Sequence, residues 1–466
     1  MGTITDTESR IVGFEGAVLR PGSEEYERAR RVFNGMFDRK PALVARCHSE
    51  GDVVAALRHA RTHGLPIAVR GGGHSAPGYG TCDDGLVIDL SGMREVHVDP
   101  AARTARVAGG ATWMDLDVAT QAHGLAVTGG RVSSTGVAGL TLGGGSGWLE
   151  RWMGLTSDNL LAIRMVTADG LVVRASRTEN TELFWGLRGA GANFGVVIEF
   201  TFELRPIGPA VLGGLVGYAM EDAAQAARFY RDFIANAPDE VCGALVFVTL
   251  PPAPEVPPPL RGQRVLAVQV LYAGSIEDGE KAFQPLRAFG KPLFDTVGPT
   301  TYLAVQQASD AGNPQGRCCY FKAEFMKDLP DQAIDTAVEY AGRMPSPHTV
   351  VFLEPMGGAF ARVPEHESPI GARDAGWCYH ALSNWDGLET SDVNIAWARE
   401  LADALAPHAS PGVYLTYLSE VGEKRIRSTF GAEKYARLLA LKNAWDPHNV
   451  FALNQNIQPH HTAANT

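Results

Sequence analysis

Hydrophobic and polar positions fall into two textures along this chain. Ala42–Cys47 is apolar and extended. Ser49 caps a helix with Asp52 three residues on, and Val53, Val54, Leu57 and Ala60 line one helical face before Gly64. Pro66–Arg70 is a second strand that runs into Gly71, Gly72 and Gly73. Leu86–Leu90 is another strand. Glu95–Val98 and Thr104–Val107 form a hairpin around Asp99-Pro100, and a helix from about Thr112 to His123 stops at Gly124. A glycine-rich stretch from Gly129 to Gly147 follows. A hairpin then joins Ala162–Thr167 to Leu171–Arg174 through Asp169-Gly170, and Ala190–Phe202 closes this half with a glycine turn and an apolar strand.

After Pro206 the texture changes. Apolar strands Leu212–Tyr218, Gly243–Leu250 and Val265–Tyr272 alternate with amphipathic helices Asp222–Ala235, Glu277–Phe289 and Asp331–Arg343. Strands Thr349–Glu354 and Trp377–Ser383 come later. The pattern predicts an α+β arrangement, an antiparallel sheet covered by helices on one side. Pro251–Pro259 holds six prolines in nine residues and reads as a stiff loop between strands. A helix carrying Leu438, Leu439 and Leu441 breaks at Asp446-Pro447 and runs into Leu453-Asn454-Gln455-Asn456, a polar run that suggests the chain returns to bind something.

Composition adds limits. The 466 residues are too many for one typical domain, and a 45% hydrophobic content fills a large core without disulfide staples. A net charge of −11 with no clustered basic face points away from nucleic acid. No 18-residue apolar run spans a membrane, and MGTITDTESRIVGF lacks the order of a secretory signal. A cytoplasmic protein is expected. Cys47, Cys82, Cys242, Cys318, Cys319 and Cys378 form no CxxC pair, so reduced packing thiols are expected and a metal site is not.

Glycines carry the chemistry. Arg70-Gly71-Gly72-Gly73-His74-Ser75 follows a strand, and such a loop lets backbone N–H groups converge on an anion. Alone it fits a tight turn equally well. The second cluster runs Gly129-Gly130-Arg131-Val132-Ser133-Ser134-Thr135-Gly136, then Gly139 and Gly143-Gly144-Gly145-Ser146-Gly147. Glycines and hydroxyls at this density line a long cofactor better than they fill a core. Two such clusters favour a dinucleotide. Gly189, Gly191 and Gly195 come near a Rossmann fingerprint, but Val196-Val197-Ile198 after them reads as strand, which argues against NAD there. GxxxxGK[ST], HExxH and GxSxG are absent.

Arg70–Ser75, Gly136–Gly147, LFWGLRGAGANFG at Leu183–Gly195 and WDPHNVFALNQNI at Trp445–Ile457 together resemble the berberine-bridge-enzyme-like FAD oxidases of the vanillyl-alcohol oxidase superfamily. The resemblance implies a two-lobed FAD domain over residues 1–205, a substrate domain over 206–424, and a C-terminal segment, 425–466, that returns to the FAD domain. It implies a covalent bond from His74 to the flavin 8α position. Relatives often place a Cys, the source of a second flavin bond, where Val132 stands here, so a single link is expected. Arg70, Gly71, Gly72, Gly73, Ser75, Gly130, Ser133, Ser134, Thr135, Gly136, Gly139, Gly144, Gly147, Ile198, Asn454 and Asn456 complete the implied cofactor set.

The same resemblance places Tyr414 and Tyr417, in Tyr-Leu-Thr-Tyr, on a strand beside the flavin, with Tyr417 as candidate base. Relatives often hold Asn where Thr416 stands. Glu354 matches an acidic position facing the substrate, and either tunes Tyr417, binds substrate or forms a structural ion pair. His380 on its strand reads as structural. The reaction implied is hydride transfer from an alcohol, amine or sugar carbon of a small molecule to flavin N5, with reoxidation by O₂ to H₂O₂. Thr135 sits where relatives control oxygen access. Oxidative cyclisation or oxygenation in natural-product tailoring, and dehydrogenation with another acceptor, are the alternatives. A monomer or homodimer is expected.

Overall fold

The computed structural model describes residues 10–410, 412, 415–419 and 422–460. Tyr414 lies outside them. Three large sheets organise the described residues, with a two-stranded pair, Leu125–Ala126 and Arg205–Pro206, beside them. The first has four strands in the order Ala17–Leu19, Leu43–Arg46, Leu86–Asp89 and Ile67–Arg70, the last three parallel. Helix Glu50–Thr62 connects two of the parallel strands. Ser49 caps it by accepting from the Asp52 N–H, and Val53, Ala56, Leu57 and Ala60 bury its apolar face.

The second sheet is antiparallel, with strands Val96–Asp99, Thr104–Ala108, Gly195–Glu203, Leu160–Thr167 and Val172–Ser176 in that order. Helix Trp113–Gln121 lies before the second glycine cluster and ends toward Gly124, whose φ of +63° suits a residue without a Cβ. Near the Rossmann-like spacing the order is helix Thr181–Leu187, loop, then strand Gly195–Glu203. That is the reverse of a strand-to-helix dinucleotide turn.

The third sheet has eight antiparallel strands. Its order is Phe294–Asp295, Ala210–Ala219, Arg264–Tyr272, Val241–Thr249, Val350–Pro355, Trp377–Trp385 and Cys318–Met326, with Gly298–Thr301 also pairing on Ala210–Ala219. Helices Ala223–Ala235, Ile276–Arg287, Asp331–Gly342 and Ser391–Leu405 contribute to a core on one face of it, with Leu245, Phe247, Val351, Leu353 and Tyr379. The alternate strand residues face the other way. Cys242, Ala244, Leu271, Phe352 and Cys378 share one core with Trp113, Leu140, Phe194 and Phe200 of the glycine-rich half. One face of the sheet therefore meets its helices and the other meets the half that carries the glycine loops.

Strand Cys318–Met326 was not legible from the pattern. Cys318 and Cys319 open it, and all six cysteines are buried and free. The C-terminal helix, Glu423–Trp445, is interrupted at Gly431, where φ is +72°. Tyr417 lies on a short 3-10 turn, Leu415–Tyr417, rather than on a strand. No helix among the described residues is long and apolar enough to cross a membrane.

Candidate functional site

The two glycine clusters meet. A Cβ on Gly72 would lie 2.2 Å from the Gly136 nitrogen, and one on Gly136 would lie 2.3 Å from the Gly72 nitrogen. Only glycine permits this backbone contact. Gly73 adds a left-handed turn, with φ of +72°. The turn delivers His74 to the second cluster, where its Nε2 lies 2.9 Å from Ser134 Oγ and its Nδ1 lies 3.3 Å from Thr135 Oγ1. Phe33 stacks on the imidazole, with ring centroids 4.2 Å apart. Burial pushes the imidazole down to about 4, so the ring is neutral near pH 7 and keeps a nitrogen lone pair.

The loop is braced from beneath. Arg70 donates to both oxygens of buried Asp89 and to the carbonyls of Ala29 and Arg31, so its guanidinium is engaged by the protein itself. Asn34 donates to the carbonyls of Ala76 and Cys319 and accepts from the Cys319 N–H. One buried amide thus joins the N-terminal segment, the His74 loop and the edge of the large sheet. Ser75 accepts from the Tyr79 N–H, and the Ser133 N–H donates to Asp310. Sequence reasoning assigned neither Phe33 nor Asn34. The Phe-Asn-Gly of Arg31–Gly35 was a signal available to it.

The remaining cofactor candidates divide into two groups. Gly139 is exposed and has nothing within 4 Å of its absent Cβ, and Ser134 is also exposed. Gly144 has φ of +108°. Gly147, by contrast, makes room for the Gly129 carbonyl, 2.0 Å from where a Cβ would stand, and Gly130 packs on Trp113 and Leu140. Ile198 is buried in the apolar cluster that includes Leu90 and Phe451, and its carbonyl accepts from the Gly109 N–H. These residues shape the cradle from within.

The C-terminal return is held by a buried cation. Lys442 Nζ donates to Asp446 at 2.7 Å, to the Asn193 carbonyl and to the Phe451 carbonyl. Burial pulls its pKa down and Asp446 pulls it back up. Asp446 in turn accepts from the N–H groups of Val450 and Phe451. Asn193 receives the Ile457 N–H and donates to the Gln455 carbonyl, while Asn454 donates to the Ala192 carbonyl. The segment therefore docks against loop 190–195. The Oδ1 atoms of Asn454 and Asn456, and the hydroxyl of Thr416, whose methyl lies against Gly143, are buried without hydrogen-bond partners. Orphaned acceptors beside a glycine cradle suit a bound group rich in polar edges, such as FAD.

The second cluster also reaches the sheet. Arg131 is ion-paired with Glu354, donates to Ser146 Oγ at 3.2 Å and lies 3.8 Å from Glu150. Its guanidinium covers the rings of Trp148 and Phe352. Glu354 Oε2 faces His380 Nε2 at 3.1 Å, and the His380 ring meets the Tyr417 ring at 4.5 Å in a T-shaped contact. Burial, with the Arg131 charge, drives His380 well below its ordinary range, so it is neutral. Burial raises Glu150 to about 7 against the pull of Arg131. The structure thus gathers Glu354, His380 and Tyr417. The reading of His380 as a lone structural histidine missed its carboxylate partner across the strand pair, and the reading of the cluster gave Arg131 no role. Among the described residues no His, Cys, Asp or Glu cluster could hold a metal ion.

The chain was compared with known proteins. Residues 41–176 match the FAD binding domain model, and residues 413–458 match the berberine and berberine-like model. The chain is 32% identical to (R)-6-hydroxynicotine oxidase of Paenarthrobacter nicotinovorans, over 96% of this chain and 98% of that one. It is 35% identical to the FAD-linked oxidoreductase pgmH of Aspergillus terreus, covering 92% and 90% respectively. The crystal structure of 6-hydroxy-D-nicotine oxidase from Arthrobacter nicotinovorans superposes with a TM-score of 0.85 at 31% identity, covering 96% of this chain and 98% of that one.

Proposed function

The chain belongs to the berberine-like family of FAD-linked oxidoreductases, and within it we propose an oxidase of small organic alcohols, amines or sugars. Its FAD is held by one covalent bond from His74. The observation that carries this reading is the placement of His74: a neutral imidazole at the junction of both glycine loops, between Ser134 and Thr135. Val132 offers no nucleophile for a second bond. Residues 1–205 with 425–466 hold the cofactor, and residues 206–424 hold the substrate.

FAD held by these residues would supply the hydride acceptor, with O₂ as the oxidant that regenerates it. The protein supplies position and proton handling. Gly71, Gly72, Gly73 and Gly136 let backbone N–H groups approach the pyrophosphate. Asn454, Asn456 and Thr416 offer their unpaired oxygens to the cofactor's polar edges. Tyr417 takes the proton from the substrate O–H or N–H as the neighbouring C–H bond gives up its hydride. Glu354, held by Arg131, fixes His380 against the Tyr417 ring and so sets the orientation of the phenol.

The test is anaerobic reduction followed by air. Substrate should bleach the flavin band, and air should restore it with one peroxide formed per cycle. Recovery only with an artificial acceptor would make the protein a dehydrogenase. Protein purified without flavin, and unable to take it up, would overturn the reading.

A further inference from the structure

The cofactor-facing side of the large sheet has a composition of its own. Cross-strand register puts Phe321 opposite Leu382 and Leu382 opposite Val350, while Ala323 lies opposite His380, His380 opposite Phe352, and Phe352 opposite Val246. Residues opposite one another point to the same face. That face is the one carrying Phe352 and Cys378 into the core shared with the glycine-rich half.

Burial is uneven across it. Phe352, Ala323 and His380 are buried, whereas Phe321, Leu382, Val350 and Val246 are each half-buried, the two valines resting against that core at its margin. All four are apolar. They are continuous with the candidate site, because Phe321 lies 6.5 Å from the Tyr417 ring, and Phe352 lies beneath Arg131. Of the polar groups on this face, Glu354 holds both Arg131 and His380, Asn384 donates to the His348 and Leu382 carbonyls, and Gln269 lies opposite Ala244 on a farther strand. A sugar ring laid on this surface would find aliphatic and aromatic walls where its hydroxyls need partners. Buried polar groups left unpaired are heavily penalised.

We infer that the substrate is an uncharged, largely apolar molecule, an alcohol or amine on an aromatic or alkyl skeleton, seated on Phe321, Leu382, Val350 and Val246, and that oligosaccharides are excluded. The inference rests on the oxidoreductase reading and narrows it. Leu382 and Val246 are its specificity residues, one on each side of the Val350 strand. The same wall accounts for orientation, since the apolar skeleton lies on the sheet and the single heteroatom turns toward Tyr417.

The test uses the flavin-loaded enzyme and two probe sets, uncharged 1-phenylalkanols, and xylobiose with cellobiose. Flavin bleaching under anaerobic conditions gives the rate. Ethylbenzene, which lacks the reacting heteroatom, gives binding through perturbation of the flavin spectrum. The apolar set should bleach the flavin about 100-fold faster at equal concentration, in line with the selectivity of apolar pockets. Leu382→Asp should slow the apolar set at least tenfold, and the isosteric Val246→Thr should do so less, both with flavin content unchanged. Faster bleaching by the sugars overturns the inference and leaves the oxidoreductase reading intact. So does an apolar rate indifferent to both substitutions. If neither set bleaches the flavin, binding decides: perturbation by ethylbenzene supports the inference, and perturbation by xylobiose alone, or by neither, overturns it. Absence of flavin from the protein would instead be the failure of the oxidoreductase reading.

Discussion

Arg131 and Glu354 form a buried ion pair although 223 positions separate them in the chain. The pair joins the second glycine cluster to a strand of the eight-stranded sheet. Removing one partner of a buried pair leaves the other uncompensated, at a cost of about 3–5 kcal/mol. Arg131→Met and Glu354→Gln should each lower the melting temperature and slow flavin bleaching by substrate. The double variant should recover part of the lost stability, because neither charge is then stranded. A double-mutant cycle on denaturant unfolding checks this, and strict additivity would show that the two side chains do not interact.

The proposed tether rests on His74. Wild-type protein precipitated in acid should stay yellow, and His74→Ala should release its colour into the supernatant. Wild-type flavin that washes out in acid would reduce His74 to a contact. Phe33→Leu removes the stacked ring yet keeps an apolar side chain, and it should lower the covalent fraction without emptying the site.

The Lys442–Asp446 pair is fully buried, with neither side chain exposed. Lys442→Met should destabilise the protein by about 3–5 kcal/mol, since Asp446 then keeps its charge without a cation. Because Lys442 also ties down the Asn193 and Phe451 carbonyls, flavin content should fall together with stability. Flavin-to-protein absorbance ratios and thermal melts on one preparation test the coupling. An unchanged ratio in a destabilised variant would separate the clamp from the cofactor.

Asp117 gives a pH prediction. Burial raises its carboxyl to about 7, a Gln306 hydrogen bond acts against this, and Asp310 adds to it. Unfolded, the group titrates near 3.9. Between those values the folded state holds more protons, so this contribution is complete below pH 4 and is lost as pH rises through about 7. Asp117→Asn cannot ionise. It should melt at a higher temperature than wild type at pH 8, with the difference shrinking toward pH 5. A pH-independent difference would contradict the assignment.

Much of this arrangement was legible beforehand because glycine is unambiguous. Gly71–Gly73 after a strand, and the run from Gly129, located the loops that bring His74, Ser134 and Thr135 together. The parallel strands and the helical face of Val53, Leu57 and Ala60 followed from local periodicity. What stayed hidden depends on distant pairing. Strand Cys318–Met326 mixes Lys322 and Glu324 with aromatic residues and has no clean period. Nothing near Arg131 announces Glu354, and His380 looks solitary until Val350–Pro355 pairs with its strand. Lys442 and Asp446 stand at helical i, i+4 spacing, which was a readable signal. Tyr417 was assigned by resemblance to a strand and lies on a turn.

The clamp around Asn193 has a consequence for biosynthesis. Loop 190–195 bonds to Leu142 and Gly186 earlier in the chain and receives further contacts from residues 442–457, which leave the ribosome some 250 positions later. A chain truncated before Lys442 should therefore take up less flavin than the whole chain, and their absorbance spectra after incubation with FAD would show it.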